Sequence, residues 1–228
     1  RDQPRSRGLG DVYKRQEPYV PGEQPKVQDV IKLNTNENPY GPSENVRKAM
    51  EAIDIDRCRL YPDPDVTKLV KSIADYYGMD NNQVFVGVGS DDVLSMCFLT
   101  FFNGKKPVLF PDITYSFYSV WADLYRIPYE KQKLDDNMKI VPEDYYKENG
   151  GVIFPNPNAP TGLLMDLDSV RDIIEHNKDV VVIVDEAYID FGGVSAKDLV
   201  NEYDNVLVVQ TFSKSRSCLL YTSDAADD

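Results

Sequence analysis

Short runs of apolar residues alternate with amphipathic segments over most of the chain. A continuous apolar run of about four to eight residues is typical of a strand buried on both faces, whereas apolar positions three and four residues apart indicate a helix. The pattern predicts strands at 83–88, 107–110, 151–154, 180–184 and 206–210. It predicts helices, the first of them capped by Ser43, at 45–53, 66–77, 91–102, 115–124 and 167–176.

This alternation favours one α/β domain, in which a mainly parallel sheet is covered by helices on both faces. Ligands of such sheets bind beyond the carboxyl ends of the strands, so the residues that directly follow each strand are the first candidates for a site. A length of 228 residues and a hydrophobic content of 42% are sufficient for one sizeable core. Residues 17–45 are rich in Pro and Asn, and we expect them to form an extended arm that precedes the domain.

The two ends of the chain are related at the level of DNA. One codon choice for residues 11–16 has a reverse complement that, read one base out of frame, encodes Cys-Leu-Leu-Tyr-Thr, the sequence found at 218–222. Unrelated protein ends have no reason to be complementary, so 1–16 and 218–228 are interpreted as a translated sequencing adapter. The native part, 17–217, is then expected to be an internal piece of a longer protein, in which 46–217 form a partial domain.

Charge and cysteine content exclude several classes of partner. A formal net charge of −13 argues against nucleic acid and anionic membranes, because both require basic surfaces. The longest mainly apolar stretch, 93–102, is too short to cross a bilayer. Cys58 and Cys97 show neither disulfide nor zinc spacing, which fits a reducing compartment. The sequence predicts a cytoplasmic protein that binds small molecules, without a metal, nucleic acid or membrane.

An acid and a lysine follow the last two predicted strands. Asp185 ends the most apolar strand, where a carboxylate is costly to bury without a cationic partner, and Lys214 follows the strand at 206–210. Pyridoxal phosphate suits this pair, because its aldehyde bonds to a lysine and its pyridine nitrogen pairs with a carboxylate. Tyr188 could then reach the ring hydroxyl, and Ser213 the phosphate. The alternatives are a magnesium-binding acid of a P-loop enzyme, although the chain has no G-x-x-x-x-G-K-[ST] motif, and a solvated surface lysine.

Three further strand ends carry candidates that also have ordinary structural explanations. The turn at 89–91 opens a helix, where amide N–H groups can bind phosphate, but acids are also common in a first helical turn. Tyr115 could stack on a heterocycle or be a core aromatic. Asn158, in the proline-rich loop 156–162, could donate to a phenolate oxygen, or the loop could be a simple turn.

Taken in order, these segments resemble the fold type I, class II family of pyridoxal-phosphate-dependent aminotransferases, and within it the histidinol-phosphate aminotransferases. The resemblance covers 34–217, nearly all of the part interpreted as native. The segments that carry it are Leu33 to Pro39, Arg59 to Asp63, Gly89-Ser90-Asp91, Tyr115, the loop 156–162, Asp185 to Tyr188, and Thr211 to Ser217.

The resemblance implies a role for each matching residue. Lys214 is expected to hold the cofactor aldehyde and to act as the catalytic base. Tyr61 is expected to reach the cofactor in the neighbouring subunit of a homodimer. The other expected cofactor contacts are Gly89, Ser90, Asp91, Tyr115, Asn158, Asp185, Tyr188 and Ser213. The expected substrate contacts are Asn36, Glu37 and Asn38.

The resemblance also implies a reaction, which is reversible amino transfer between histidinol phosphate and 2-oxoglutarate in histidine biosynthesis. The products would be imidazole-acetol phosphate and glutamate. Aromatic amino-acid aminotransferases and threonine-phosphate decarboxylases share similar motifs and remain alternatives, as does a non-catalytic α/β fragment.

The chain departs from the family pattern in three places. Ala159 replaces the asparagine that often precedes Pro-Thr-Gly, and Thr222 occupies the place of a phosphate-binding arginine. The smaller C-terminal domain of the family is absent from the sequence, so we expect the chain alone to be inactive.

Overall fold

The computed structural model describes Ile31 and residues 34–218. Residues 1–30, 32, 33 and 219–228 lie outside the described residues, so the interpretation of the two ends and the predicted arm at 17–45 stay predictions. The chain divides into two compact units, 1–37 and 38–228. The architecture that follows is that of the second unit.

Five α-helices and five strands make up the described part of this unit. The helices are α1 (Glu44–Glu51), α2 (Thr67–Tyr77), α3 (Gly89–Phe101), α4 (Phe117–Tyr125) and α5 (Leu167–His176). The strands are β1 (Val108–Pro111), β2 (Tyr129–Gln132), β3 (Gly151–Pro155), β4 (Val182–Asp185) and β5 (Val206–Val209). Among the described residues, no helix is long and apolar enough to span a membrane.

The sheet is parallel throughout, in the order β2-β1-β3-β4-β5. After β1 the chain adds β2 on one side, then returns to place β3, β4 and β5 on the other side. This reversal of direction opens a crevice beyond the carboxyl ends of β1 and β3, which is the usual ligand position in a sheet of this kind. The predicted α/β class and parallel sheet are confirmed.

Helices cover both faces of the sheet because successive strand residues point to opposite sides. On one face, Phe110, Ile153 and Ile183 pack with Phe98 of α3 and Tyr118 of α4. On the other face, strand residues pack against α5, and the members of this second cluster include Val152, Phe154, Val184, Val170 and Ile173. The two-sided core confirms the predicted layering.

One predicted strand is wrong, and one observed strand was not predicted. Residues 84–87 form no strand, and Phe85 and Val88 are 67% and 60% exposed, so no burial of apolar side chains stabilises an extended conformation there. The edge strand β2 was not predicted, because only Gln132 of its four residues is buried and Glu130 and Lys131 face solvent. Its polar composition conceals the strand.

The strand register brings the ends of β3, β4 and β5 side by side. Asp185 pairs with Pro155 of β3 and with Val209 of β5. Beyond these pairs, the Asn156 N–H donates to the Asp185 carbonyl at 2.8 Å, and the Glu186 N–H donates to the Val209 carbonyl at 2.7 Å. The residues that follow the three strands therefore emerge at one edge of the sheet.

Candidate functional site

Asp185 is a buried carboxylate at the end of β4, and only 4% of the residue is exposed. Its Oδ2 accepts a hydrogen bond of 2.7 Å from the Tyr118 hydroxyl, and its Oδ1 accepts one of 3.2 Å from the Ala187 N–H. Burial raises the pKa of Asp185 to about 6, although both hydrogen bonds oppose this by favouring the charged form. The described hydrogen-bond partners are neutral, so the carboxylate has no cation to offset its loss of hydration.

Lys214 lies in the segment that follows β5 and is partly buried. Its Nζ is 5.6 Å from the centre of the Tyr188 ring, and Tyr188 follows Asp185 by three residues. Ser213 is buried, and its hydroxyl lies 2.9 Å from the Thr211 hydroxyl. The structure thus brings together the lysine and the tyrosine that the sequence analysis had placed at one site.

The glycine-serine turn opens α3, as the sequence predicted. Gly89 has a φ of +83°, which favours glycine, and the preceding Val88 N–H donates to the Asp92 carboxylate at 3.0 Å. The Tyr115 hydroxyl donates to Asp91 Oδ1 at 2.7 Å. Asp91 of the predicted phosphate turn and Tyr115, the predicted stacking residue, are therefore joined by a direct hydrogen bond.

Asn158 connects the loops that follow β1 and β3. Its side-chain amide donates to the Ile113 carbonyl at 3.0 Å and to Thr161 Oγ1 at 3.3 Å, and its Oδ1 accepts from Thr114 Oγ1 at 3.1 Å. The bonds to Ile113 and Thr114 join the loop after β3 to the loop after β1. Asn158 thus holds the two loops together, and its predicted contact with a cofactor hydroxyl stays a prediction.

A network of polar side chains anchors the segment that carries Lys214. The Arg216 guanidinium donates to Asp190 at 3.2 Å and to the Tyr77 hydroxyl at 2.9 Å. Tyr77 in turn donates to the Gln210 side chain, whose Nε2 donates to the Glu186 carboxylate at 2.8 Å. The network ties α2 and the end of β4 to both flanks of the lysine.

The predicted substrate-side residues have different surroundings. The Asn38 amide donates to the Ser215 carbonyl at 3.1 Å and to Ser217 Oγ at 2.8 Å, so Asn38 lies beside the lysine segment. Asn36 and Glu37 belong to the first compact unit and are exposed. Tyr61 is fully exposed. The substrate roles of these residues and the cofactor role of Tyr61 stay predictions.

Sequence reasoning missed Tyr118 and the structural role of Glu186. Tyr118 is fully buried and touches Asp185, yet in the sequence it is one of four aromatic residues between positions 115 and 121. Glu186 is buried and accepts hydrogen bonds from Ser195, the Ala196 N–H and Gln210. The only available signal was an acidic pair directly after an apolar strand.

Comparison with known proteins identifies the family. The family described as aminotransferase class I and II matches residues 28–219, which is most of the chain. The chain belongs to this family. Aminotransferases of class I and II are pyridoxal-phosphate-dependent, and the parallel sheet flanked by helices corresponds to part of the fold type I large domain.

Curated relatives of this aminotransferase chain are similar over nearly all of its length. It is 59% identical over 200 residues to histidinol-phosphate aminotransferase 1 of Hydrogenovibrio crunogenus, a match that covers 88% of this chain and 56% of that protein. It is 55% identical over 212 residues to the histidinol-phosphate aminotransferase of Clostridium beijerinckii, covering 93% and 59%. The chain therefore spans little more than half the length of these relatives.

Solved structures support the fold of this aminotransferase chain. The histidinol-phosphate aminotransferase of Clostridium acetobutylicum superimposes with a TM-score of 0.73 at 24% identity, covering 80% of this chain and 56% of that one. The histidinol-phosphate aminotransferase of Sinorhizobium meliloti, solved in complex with pyridoxal-5'-phosphate, gives a TM-score of 0.74 at 20% identity, covering 81% and 52%.

The site of this aminotransferase chain fits the cofactor of the family. A protonated ring nitrogen would supply the cation that the Asp185 carboxylate lacks among its described hydrogen-bond partners. Tyr115 follows β1 and hydrogen-bonds to Asp91 at the N-terminus of α3, and the Lys214 segment follows β5. In the part of the chain that the structure describes, no group of three or more His, Cys, Asp or Glu could hold a metal ion.

Asp185→Asn is expected to stabilise the cofactor-free protein at high pH. Because the folded-state pKa of Asp185 is raised from 3.8 to about 6, the native state binds this proton more tightly than the unfolded chain does. The free energy of unfolding therefore decreases as pH rises from about 4 to about 6. Above that range the ionised Asp185 lowers it by about 3 kcal/mol, because each unit of pKa difference corresponds to about 1.4 kcal/mol. Asparagine removes this cost.

The measurement is thermal unfolding of the cofactor-free, full-length protein at pH 5 and pH 8. The variant should exceed the wild type at pH 8 by up to about 3 kcal/mol, and by less at pH 5. Asp136→Asn, at an exposed loop position, is the matched control and should change little at either pH. Equal stability of Asp185→Asn and the wild type at pH 8 would contradict the cost assigned to this carboxylate.

Proposed function

We propose that the longer protein to which this chain belongs is a histidinol-phosphate:2-oxoglutarate aminotransferase. It transfers an amino group reversibly between histidinol phosphate and 2-oxoglutarate in histidine biosynthesis, and forms imidazole-acetol phosphate and glutamate. Relatives that are 59% and 55% identical carry the name histidinol-phosphate aminotransferase, which supports the substrate assignment. The observation that carries the chemistry is the buried Asp185 carboxylate, which has no cationic hydrogen-bond partner among the described residues and lies three residues before the tyrosine that contacts Lys214.

Pyridoxal phosphate, when bound, supplies an aldehyde that takes up the amino group and a ring that accepts the electrons released from the substrate carbon. Asp185 keeps the proton on the ring nitrogen, because the desolvated carboxylate gains a cation as its partner. Tyr188 is proposed to donate to the ring hydroxyl, and Asn158 would do so by giving up its longer hydrogen bond of 3.3 Å to Thr161 Oγ1. These contacts orient the ring and increase its capacity to withdraw electrons.

Lys214 is proposed as both the covalent anchor and the base. Once the substrate amine has displaced Lys214, the free amine at Nζ would accept the proton from the substrate carbon. It would then donate that proton again later in the same half-reaction. The network through Arg216 and Gln210 on its two flanks restricts where this amine lies. Such positioning matters because proton transfer requires hydrogen-bond distance in the reacting complex.

Binding of the phosphate and the ring is assigned to the start of α3 and to the loop after β1. The N–H groups of Ser90 and Asp91 stand at a helix N-terminus, where an anion is favoured, and Ser213 adds a hydroxyl. The Gly89 N–H donates to the Gly87 carbonyl at 3.0 Å, so its proposed contact with the phosphate requires that bond to open. Tyr115 stacks on the ring, and its hydrogen bond to Asp91 keeps the aromatic face beside the phosphate turn. On the substrate side, Asn36, Glu37 and Asn38 are the proposed contacts.

We further propose a cytoplasmic homodimer in which Tyr61 reaches the cofactor phosphate of the neighbouring subunit. The exposed position of Tyr61 supports this role, because a side chain of this size is seldom left fully in solvent. Ile53, Ile55 and Leu60, which are also exposed, supply further apolar surface in the same region of the sequence.

Lys214→Ala in the full-length protein is expected to abolish the visible absorbance of the lysine-bound cofactor. Amino transfer should fall by at least about a thousandfold, because the variant loses both the anchor and the base. Lys178→Ala removes a lysine that is exposed at a loop and serves as the control. An unchanged spectrum in Lys214→Ala would refute the lysine assignment.

Assays with histidinol phosphate, aromatic amino acids and threonine phosphate distinguish the three substrate classes, and we expect the highest kcat/KM with histidinol phosphate.

A mixed-dimer experiment tests the shared site. Lys214→Ala and Tyr61→Ala homodimers should each be strongly impaired, but a mixed dimer retains one site with both native residues. Random exchange of subunits should therefore restore about a quarter of the wild-type activity, because half of the dimers are mixed and each has one intact site. Activity that stays at the level of the separate variants would contradict a role for Tyr61 across the interface.

The 228-residue chain itself is expected to show no measurable amino transfer under conditions in which the full-length protein turns over. This expectation rests on its span of 56% to 59% of the length of the relatives cited here. Turnover of the isolated chain at the full-length rate would contradict it. We therefore propose a non-catalytic α/β fragment for the chain alone and an aminotransferase for the full-length protein.

A further inference from the structure

Tyr118 is a fully buried residue that the family resemblance did not single out. It lies in the first turn of α4, and its hydroxyl donates to Asp185 Oδ2 at 2.7 Å. Burial and the Asp185 charge raise the pKa of Tyr118 well above its ordinary value, so the hydroxyl stays protonated and acts as a donor. A hydrogen bond to a charged acceptor inside a core is stronger than one between neutral groups.

Packing fixes the direction of this hydroxyl. The Tyr118 ring stacks on Phe98 with a centroid distance of 6.4 Å, and it meets Phe110 at 5.9 Å and Tyr115 at 5.7 Å in edge contacts. A tyrosine surrounded in this way cannot swing its hydroxyl to another partner without disturbing the core. The contact with Tyr115 also couples the carboxylate to the residue assigned to ring stacking.

The two hydrogen bonds to Asp185 define its orientation. Tyr118 binds one carboxylate oxygen and the Ala187 N–H binds the other, so the carboxylate is held from two sides. Each carboxylate oxygen can accept more than one hydrogen bond, and capacity therefore remains for a third donor. We propose that Tyr118 is a positioning residue whose hydroxyl keeps Asp185 ionised and in one orientation, available to the ring nitrogen of the cofactor. This inference rests on the proposed function.

The charged groups around Asp185 explain why a donor is needed. The negative charges of Asp91, at the start of α3, and Glu186, directly after β4, both disfavour ionisation of Asp185. Burial of Asp185 also disfavours its ionisation. The neighbouring strands contribute the Asn156 N–H to the Asp185 carbonyl and the apolar Val209, neither of which is charged. Removal of the Tyr118 hydroxyl should therefore raise the pKa of Asp185, so that the acid is protonated nearer to neutral pH.

The test is Tyr118→Phe in the full-length protein, with Tyr145→Phe as the matched control. Tyr145 is equally buried but belongs to the core cluster on the opposite face of the sheet, so its variant removes the same hydroxyl away from Asp185. The readout is the dissociation constant of pyridoxal phosphate for the cofactor-free protein between pH 5 and pH 9. Tyr118→Phe should shift the acid-side loss of affinity upward by about one to two pH units.

At pH 7 this shift should weaken cofactor binding by about two- to tenfold, and at pH 9, where Asp185 is ionised in both proteins, the difference from wild type should nearly disappear. A cofactor analogue with carbon in place of the ring nitrogen should show no such pH-dependent difference. The Asp185→Asn background should likewise remove the effect of Tyr118→Phe, because the two residues act through one contact. If Tyr118→Phe does not fold, incorporation of 3-fluorotyrosine at position 118 keeps the ring and makes the hydroxyl a stronger donor, and it should shift the acid-side loss of affinity downward; no shift would overturn the inference.

Equal behaviour of Tyr118→Phe and Tyr145→Phe at every pH would overturn the inference while leaving the proposed function intact. A loss of affinity that is uniform across pH would also overturn it, since a structural defect alone gives that result. Failure of the wild-type, full-length protein to bind pyridoxal phosphate would overturn both proposals. Failure confined to the Lys214→Ala assay would contradict the proposed function alone.

Discussion

The burial of a single carboxylate at the end of β4 is the constraint on which the rest of the site depends. Asp185 is almost entirely removed from water, and that position would be unfavourable for a charge in any protein that did not supply a partner. Its described hydrogen bonds come from a neutral hydroxyl and a neutral amide, which reduce the cost without cancelling it. The sheet thus maintains an acid that gains stability when a cation arrives.

Parallel pairing of the strands places other candidate residues close to Asp185. Because Asp185 is in register with Pro155 and Val209, the segments that follow three adjacent strands emerge together. The reversal of strand order then leaves space between the loops after β1 and β3, and Asn158 ties those loops together. The candidate site residues are far apart in sequence, so the register of the strands is what brings them to one edge of the sheet.

The sequence predicted elements that have a periodic apolar pattern, and it missed features that depend on contacts with distant parts of the chain. The helix at 167–176 is confirmed to the residue, because its apolar face and its Asp166 cap are both local signals. The strand β2 was missed because its stability comes from pairing with β1, which local composition does not report. Tyr118 was missed for a similar reason: which aromatic residue of α4 faces Asp185 depends on the rotation of the helix against the sheet.

Two adjacent acids show how the same burial leads to different roles. Glu186 is as buried as Asp185, but its carboxylate accepts from the Ser195 hydroxyl, the Ala196 N–H and the Gln210 amide, and is thereby committed to holding the chain. Asp185 has two described donors and retains acceptor capacity. Glu186 thus has three described donors and Asp185 has two, and this difference, rather than burial or the direction of the pKa shift, supports a structural role for Glu186 and the cofactor role proposed for Asp185.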